Sequence, residues 1–295
     1  MSNLVFVSGD FSSGTTLLFT LFRNTEGCHC LYEPLHERLL HWLVWPPRAY
    51  EGHSFVGSYF YEYKGFSAIP KLFDPAWGVR ELHLGPEDDA DRLLRYLNYL
   101  VEASLARAPN VVLKENRFTF RLAWLKANFP HARIVHVWRE RDDHWRSIVR
   151  RTQEYLGRED VGQDRPDFMG FRMAAWCDDL APTYPELAVD RSSSGYERFC
   201  RLWELSQAEH RRYADVSVEL AELKGDFEGA CARMSAAVGF ELDANRLRPF
   251  LATGVRAEAP RGRLRRRADR LVDRAGARYA EIRVRAQTKR ARLDG

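Results

Sequence analysis

The sequence predicts an α/β protein, with a central parallel sheet flanked by helices in a three-layer arrangement. Short apolar runs that end in turn or polar residues recur at 4–9, 110–115 and 133–138. Segments whose apolar residues fall at helical spacing separate them. The runs are continuously apolar rather than alternating, as strands buried on both faces require. With 295 residues, 45% of them hydrophobic, the chain carries enough apolar surface for a substantial core.

Taken in order, "LVFVSG" is a strand ending in a turn. Leu17, Leu18, Leu21 and Phe22 then share one helical face, with Gly27 as a stop signal. "CHCLYE" (28–33) is a second strand, "NVVLKE" (110–115) a third and "RIVHVW" (133–138) a fourth, with helices expected around 93–106 and 118–128. After "RERDD", Trp145, Ile148, Val149, Thr152 and Tyr155 form a helical face, and Asp142 or Asp143 is available to cap its start. "YERFCRLWELSQAEHRRYA" reads as a helix and "VSVELAEL" as a last short strand. Two aromatic segments, about 42–77 and 157–196, are too long to be simple connectors. They are expected to wall or cover a site, or to pack as satellite loops. No internal repeat is present.

Composition narrows the function. No apolar run approaches the roughly 18 to 20 residues that span a bilayer, and "MSNLVFVSGD" is not a secretory leader, so no transmembrane segment and a cytoplasmic location are expected. The five cysteines are scattered and odd in number, which predicts free thiols. Cys28-His29-Cys30 has no second ligand pair at matching spacing, so no metal is expected. The residues from Arg256 onward include 14 basic and 5 acidic, a surplus of 9 against a whole-chain charge of +4, leaving −5 for the preceding 255. The chain thus divides into an α/β domain over 1–255 and a basic extension over 256–295. In that extension Leu264, Leu271, Val272, Ala275, Tyr279, Ile282 and Ala286 fall at helical spacing. This basic C-terminal helix suits contact with an anionic surface or nucleic acid, or packing on the domain with a solvated arginine face.

The first strand runs into Gly9-x4-Gly14-Thr15-Thr16. Glycines there let the chain turn sharply, so that amide N–H groups and the positive end of the next helix converge on an oxyanion. The spacing is that of a P-loop-type phosphate loop, but Thr15 stands where nucleoside-triphosphate loops carry lysine. That disfavours a kinase or triphosphatase and favours a smaller anionic load. Farther on, Arg139 ends a parallel strand and Ser147 lies early in the following helix. Both face the crevice where open α/β sheets bind ligands, and a guanidinium with a hydroxyl suits a second, separate phosphate.

The two elements together resemble the sulfotransferases that use 3′-phosphoadenosine 5′-phosphosulfate (PAPS). "SSGTTLL" (12–18) is similar to that family's Arg/Lys-Ser-Gly-Thr-Ser/Thr-Leu loop, and "RERDDHWRS" (139–147) to its Arg-Asp/Asn-Pro-x5-Ser element, with the same spacing from arginine to serine. "LYEPLHE" (31–37) resembles the Glu-Pro-Leu segment of carbohydrate sulfotransferases. The resemblance covers roughly 4–250. It implies a P-loop-type fold and transfer of a sulfuryl group from PAPS, as co-substrate and without a metal, to a hydroxyl of a sugar, a glycosylated compound or another small metabolite. Ser12, Ser13, Gly14, Thr15 and Thr16 then hold the 5′-phosphosulfate, Arg139 and Ser147 the 3′-phosphate, and Arg261 closes over the nucleotide. Glu33 is implied as the catalytic base, with His36 as a second candidate.

Ser12 occupies the position of the family's loop cation. Loss of such a donor costs about 2.7 to 4 kcal/mol of transition-state stabilisation, so another cation is expected, and Lys114 at a strand end is the candidate. Its alternative is an exposed strand-end lysine. Asn116 stands where the phenol- and steroid-sulfonating branch has a histidine base, and an amide cannot serve as one. A nucleotide-binding relative with weak or no catalysis is the main alternative function.

Overall fold

The computed structural model describes residues 3–44, 60–156, 167–168, 171–188 and 193–251. β1 (Asn3–Ser8) leads through a tight loop into α1 (Thr15–Arg23), and β2 (Cys28–Tyr32) follows. The short helices α2 (Leu39–Val44) and α3 (Ile69–Leu72) precede α4 (Asp91–Leu105) and β3 (Asn110–Lys114). α5 (Leu122–Asn128), β4 (Arg133–Trp138) and α6 (Arg141–Leu156) come next. A two-residue hairpin, β5 (Asp167–Phe168) with β6 (Phe171–Arg172), leads to α7 (Met173–Leu180) and α8 (Gly195–Tyr213). The described chain ends with β7 (Val216–Glu219), α9 (Leu220–Gly225), α10 (Phe227–Val238) and α11 (Ala244–Leu251).

Five strands form one parallel sheet in the order β2-β3-β1-β4-β7. β1 is central because its residues from Val5 to Ser8 are fully buried, and only a strand covered on both faces can be so uniformly apolar. Phe6 packs edge-on against Phe118 and Phe129 at 5.2 and 5.5 Å. Helices flank the sheet as expected, and no described helix is long and apolar enough to cross a membrane.

Several local expectations change. The expected strand over 216–223 is a strand only to Glu219, where Leu220 begins a helix whose apolar residues Leu220 and Leu223 are buried at helical spacing. The 118–128 segment opens as a 3-10 turn, Asn116–Arg121, before α5. α6 is capped by Glu140, not by Asp142 or Asp143: its carboxylate accepts the Asp142 and Asp143 N–H groups at 2.9 and 3.0 Å. α1 ends at Arg23, before Gly27, whose φ of 72° serves the turn into β2.

The described parts of the two aromatic segments are core. Trp42, Phe60, Tyr63, Phe66, Phe73 and Trp77 join the main cluster around the sheet. Phe171, Met173, Trp176 and Leu180 form a second cluster with Phe199 and Phe11. The basic C-terminal helix and Arg261 lie outside the described residues, as do 45–59.

Gly9 has no room for a side chain, since a Cβ there would lie 2.3 Å from the Val137 carbonyl oxygen. Gly9→Ala is expected to cost about 1–3 kcal/mol through forced displacement of backbone, read by urea unfolding. Parent-like stability would mean that the loop leaves β4 without cost.

Candidate active site

The loop between β1 and α1 sits at the C-terminal edge of the sheet. Gly14, at φ 115°, begins α1 without capping it, and the first turn holds no acidic residue. The first-turn amides and the positive helix end are therefore left to an anion. The Ser13 hydroxyl is buried and has no hydrogen-bond partner among the described residues. The loop is fixed from behind: Phe11 stacks on Phe171 at 5.0 Å, and its carbonyl meets His144 Nε2 at 2.6 Å.

Asp10 adds a feature that the sequence did not suggest. Both carboxylate oxygens lie 2.8 Å from Ser206 Oγ on α8. Burial pushes its pKa up to about 7, with the Ser206 hydrogen bond opposing the rise. One turn on, His210 is held neutral, its pKa lowered to about 4 by burial. It meets Ser8 Oγ at 2.9 Å and stacks on His136 at 3.6 Å. The side of the loop facing α8 is thus close to uncharged below neutral pH.

On the other side of β1, parallel pairing places Tyr32 of β2 opposite Lys114 of β3. Glu33 therefore emerges beside the end of β3, its amide donating to the Lys114 carbonyl at 2.7 Å. Lys114 is buried, not exposed, and its Nζ donates to Glu33 Oε1 at 2.6 Å and to Asn116 Oδ1 at 2.5 Å. The ammonium also lies over the Tyr32 ring at 4.4 Å. Asn116 in turn donates through Nδ2 to the Gly9 carbonyl at 2.9 Å and to Thr15 Oγ1 at 3.3 Å. The Tyr32 hydroxyl reaches Thr16 Oγ1 at 3.1 Å.

A layer of buried charge supports this pair. Arg117 donates to Glu115 at 3.1 Å and to Glu37 at 2.8 Å, and lies 3.8 Å from Glu33. Glu115 also accepts the Leu35 N–H at 2.7 Å, fixing the segment that carries Glu33. Burial raises the pKa of Glu37, with Arg117 opposing. His36 is buried beside Glu33, its Nε2 3.9 Å from Oε2, while Nδ1 accepts the Arg38 N–H at 3.1 Å. Ser12 and Glu33 hold backbone φ of 68° and 45°, two of the three positive-φ positions with side chains among the described residues. Such conformations cost energy and collect at functional sites.

Arg139 and Ser147 come together as expected. With Asp143, Arg146 and Arg150 they line an open concavity of about 360 Å³. Burial lowers the Arg139 pKa from its ordinary value, Asp143 opposes the change, and Arg150 and Arg151 add to it. This is an electropositive surface one strand away from the loop. Among the described residues no group of three or more His, Cys, Asp or Glu is disposed to hold a metal ion.

No protein-family model and no curated protein sequence matches the chain. Among solved structures it is similar to sulfotransferase STF9 from Mycobacterium avium, at 15% identity and TM-score 0.44, over 87% of this chain and 69% of that one. A sulfotransferase domain from the curacin biosynthetic pathway is similar at 11% identity and TM-score 0.43, over 88% and 85% of the two chains. A sulfotransferase from Alicyclobacillus acidocaldarius is similar at 16% and 0.42, over 86% and 93%.

The raised Asp10 pKa has a signed consequence for stability. Its folded value lies above the ordinary 3.8, so the protonated form is favoured on folding, and that contribution is lost as pH rises toward 7. Asp10→Asn is expected to gain stability relative to the parent between pH 4.5 and 7, by at most about 1.4 kcal/mol per pH unit. Urea unfolding across that range tests it, and parallel curves for the two proteins would show that Asp10 is ionised throughout.

Proposed function

We propose that the protein is a sulfotransferase that moves the sulfuryl group of PAPS to a hydroxyl of a sugar, a glycosylated compound or another small metabolite. One observation carries the reading: a carboxylate and an ammonium, Glu33 and Lys114, are buried as a 2.6 Å pair against a phosphate loop that lacks a cation of its own. Such a pair supplies the two charges that in-line transfer needs. Glu33 takes the proton of the acceptor hydroxyl as its oxygen bonds to sulfur. The sulfur–oxygen bond to the 5′-phosphate breaks, and Lys114 with the loop amides meets the charge left on that oxygen.

The donor fits the residues present. The Ser13 hydroxyl, without a partner among the described residues, and the uncapped first turn of α1 suit the 5′-phosphosulfate in the loop formed by Ser12, Ser13, Gly14, Thr15 and Thr16. Arg139 and Ser147, with Arg146 and Arg150 beside them, suit the 3′-phosphate. Glu33 is preferred to His36 as base on tautomer grounds. With Nδ1 accepting from Arg38, the neutral His36 ring carries its proton on Nε2 and has no lone pair left for another.

Calorimetric titration with adenosine 3′,5′-bisphosphate, with ATP in parallel, tests the donor site. Micromolar binding that is much weaker for ATP and falls at least tenfold in Arg139→Ala is the expected result. No bisphosphate binding overturns the reading. In an acceptor screen, Glu33→Gln is expected to lose at least 100-fold in turnover with bisphosphate affinity within about threefold of the parent. Unchanged turnover removes Glu33 as the base.

A further inference from the structure

We infer that Asn116 is the positioning residue for Lys114, setting the ammonium against the phosphate loop in place of a cation carried by the loop itself. The inference rests on the sulfuryl-transfer reading above and adds a residue to it. The amide orientation follows from its partners. An ammonium can only donate and a backbone carbonyl can only accept, so Oδ1 must face Lys114 and Nδ2 must face Gly9.

Asn116 therefore links the ammonium to the loop backbone, its acceptor facing the one and its donor the other. Its oxygen fixes the ammonium at 2.5 Å while its nitrogen holds the first residue of the loop at 2.9 Å and the Thr15 hydroxyl at 3.3 Å. A second bridge runs from the ammonium through the Tyr32 ring, at 4.4 Å, and the Tyr32 hydroxyl to Thr16. The ammonium is thus referenced to both ends of the loop. All three groups at the centre, Lys114, Asn116 and Thr15, are almost completely buried. Within a packed interior a lysine stem left with Glu33 as its one acceptor would follow the carboxylate. The amide keeps it on the side where the leaving oxygen belongs.

A double-mutant cycle on the full chain separates positioning from general support of the fold. The probes are adenosine 3′,5′-bisphosphate, whose 5′-phosphate carries the leaving oxygen, and adenosine 3′-phosphate, which lacks it. Asn116→Ala is expected to weaken bisphosphate binding about tenfold in the parent and less than twofold in Lys114→Gln, with adenosine 3′-phosphate affinity unchanged in both. Asn116→Leu, closer in volume, repeats the cycle if the alanine variant does not fold. Equal losses in both backgrounds, or a matching loss for adenosine 3′-phosphate, would show that Asn116 supports the loop and not Lys114, and overturn the assignment while leaving the transfer reading intact. Absence of bisphosphate binding to the parent overturns both.

Discussion

The buried ion pair between Lys114 and Glu33 is the constraint around which the C-terminal edge of this sheet is arranged. Removing one member of such a pair costs about 3–5 kcal/mol, because the other charge is left uncompensated. The pair exists only in one strand register. Tyr32 lies opposite Lys114, and the chain turns at Glu33 with a φ of 45° to bring the carboxylate back over the end of β3. A slip of one residue between β2 and β3 would send Lys114 to the opposite face of the sheet. The apolar partners Leu31 and Leu113, both fully buried, hold that register from one position earlier.

Successive residues after β3 serve different neighbours. Asn116 reaches the loop after β1 and links Lys114 to it, whereas Glu115 and Arg117 tie down the segment 35–37 and, through Arg117, the Gly78 carbonyl at 2.9 Å. The charged layer of Glu115, Arg117 and Glu37 fixes the backbone that presents Glu33, so that carboxylate is held by main chain as well as by its partner. Across the sheet the loop is held in a different way. There the attachments are apolar or neutral: Phe11 in the second core cluster, the Asp10–Ser206 contact, and His144 on the Phe11 carbonyl.

Most of the fold was legible in the sequence, because strands buried on both faces leave unbroken apolar runs and their ends coincide with Gly9, Glu115 and Arg139. Legibility failed where a side chain's role depends on a distant partner or on a choice among equivalent neighbours. Nothing local says that Glu140 rather than Asp142 caps α6, since all are short-range acids in one run. The aromatic stretches invited a reading as walls or as satellite loops, yet Trp42, Phe60, Tyr63, Phe66, Phe73 and Trp77 contribute rings to the core, and composition alone does not distinguish these roles. Lys114, Arg139 and Ser147 were singled out by position at strand and helix ends, and Glu33 by the resemblance of the 31–37 segment. Asn116 was passed over because it was weighed only as a base; its place two residues after Lys114, on the same side of the chain, was the available signal. Asp10 gave none, since its partner lies on α8, 196 residues away.

The distribution of charge explains how an acidic domain can present an anion site. The first 255 residues sum to −5, yet the arginines 139, 146 and 150 share one concavity, and Lys114 lies buried on the far side of the loop. Exposed charges act over roughly one Debye length, about 8 Å at physiological ionic strength, so surface acids farther away are largely screened from the concavity, whose lining also includes Asp143. Lys114 is less screened, because burial lowers the local dielectric. A single ammonium there can match what a mobile, solvated cation on the loop would supply, provided its position is fixed beforehand. Ser12 carries no charge, and the ammonium nearest to its loop belongs instead to Lys114 at the end of β3, where strand pairing and burial fix its position.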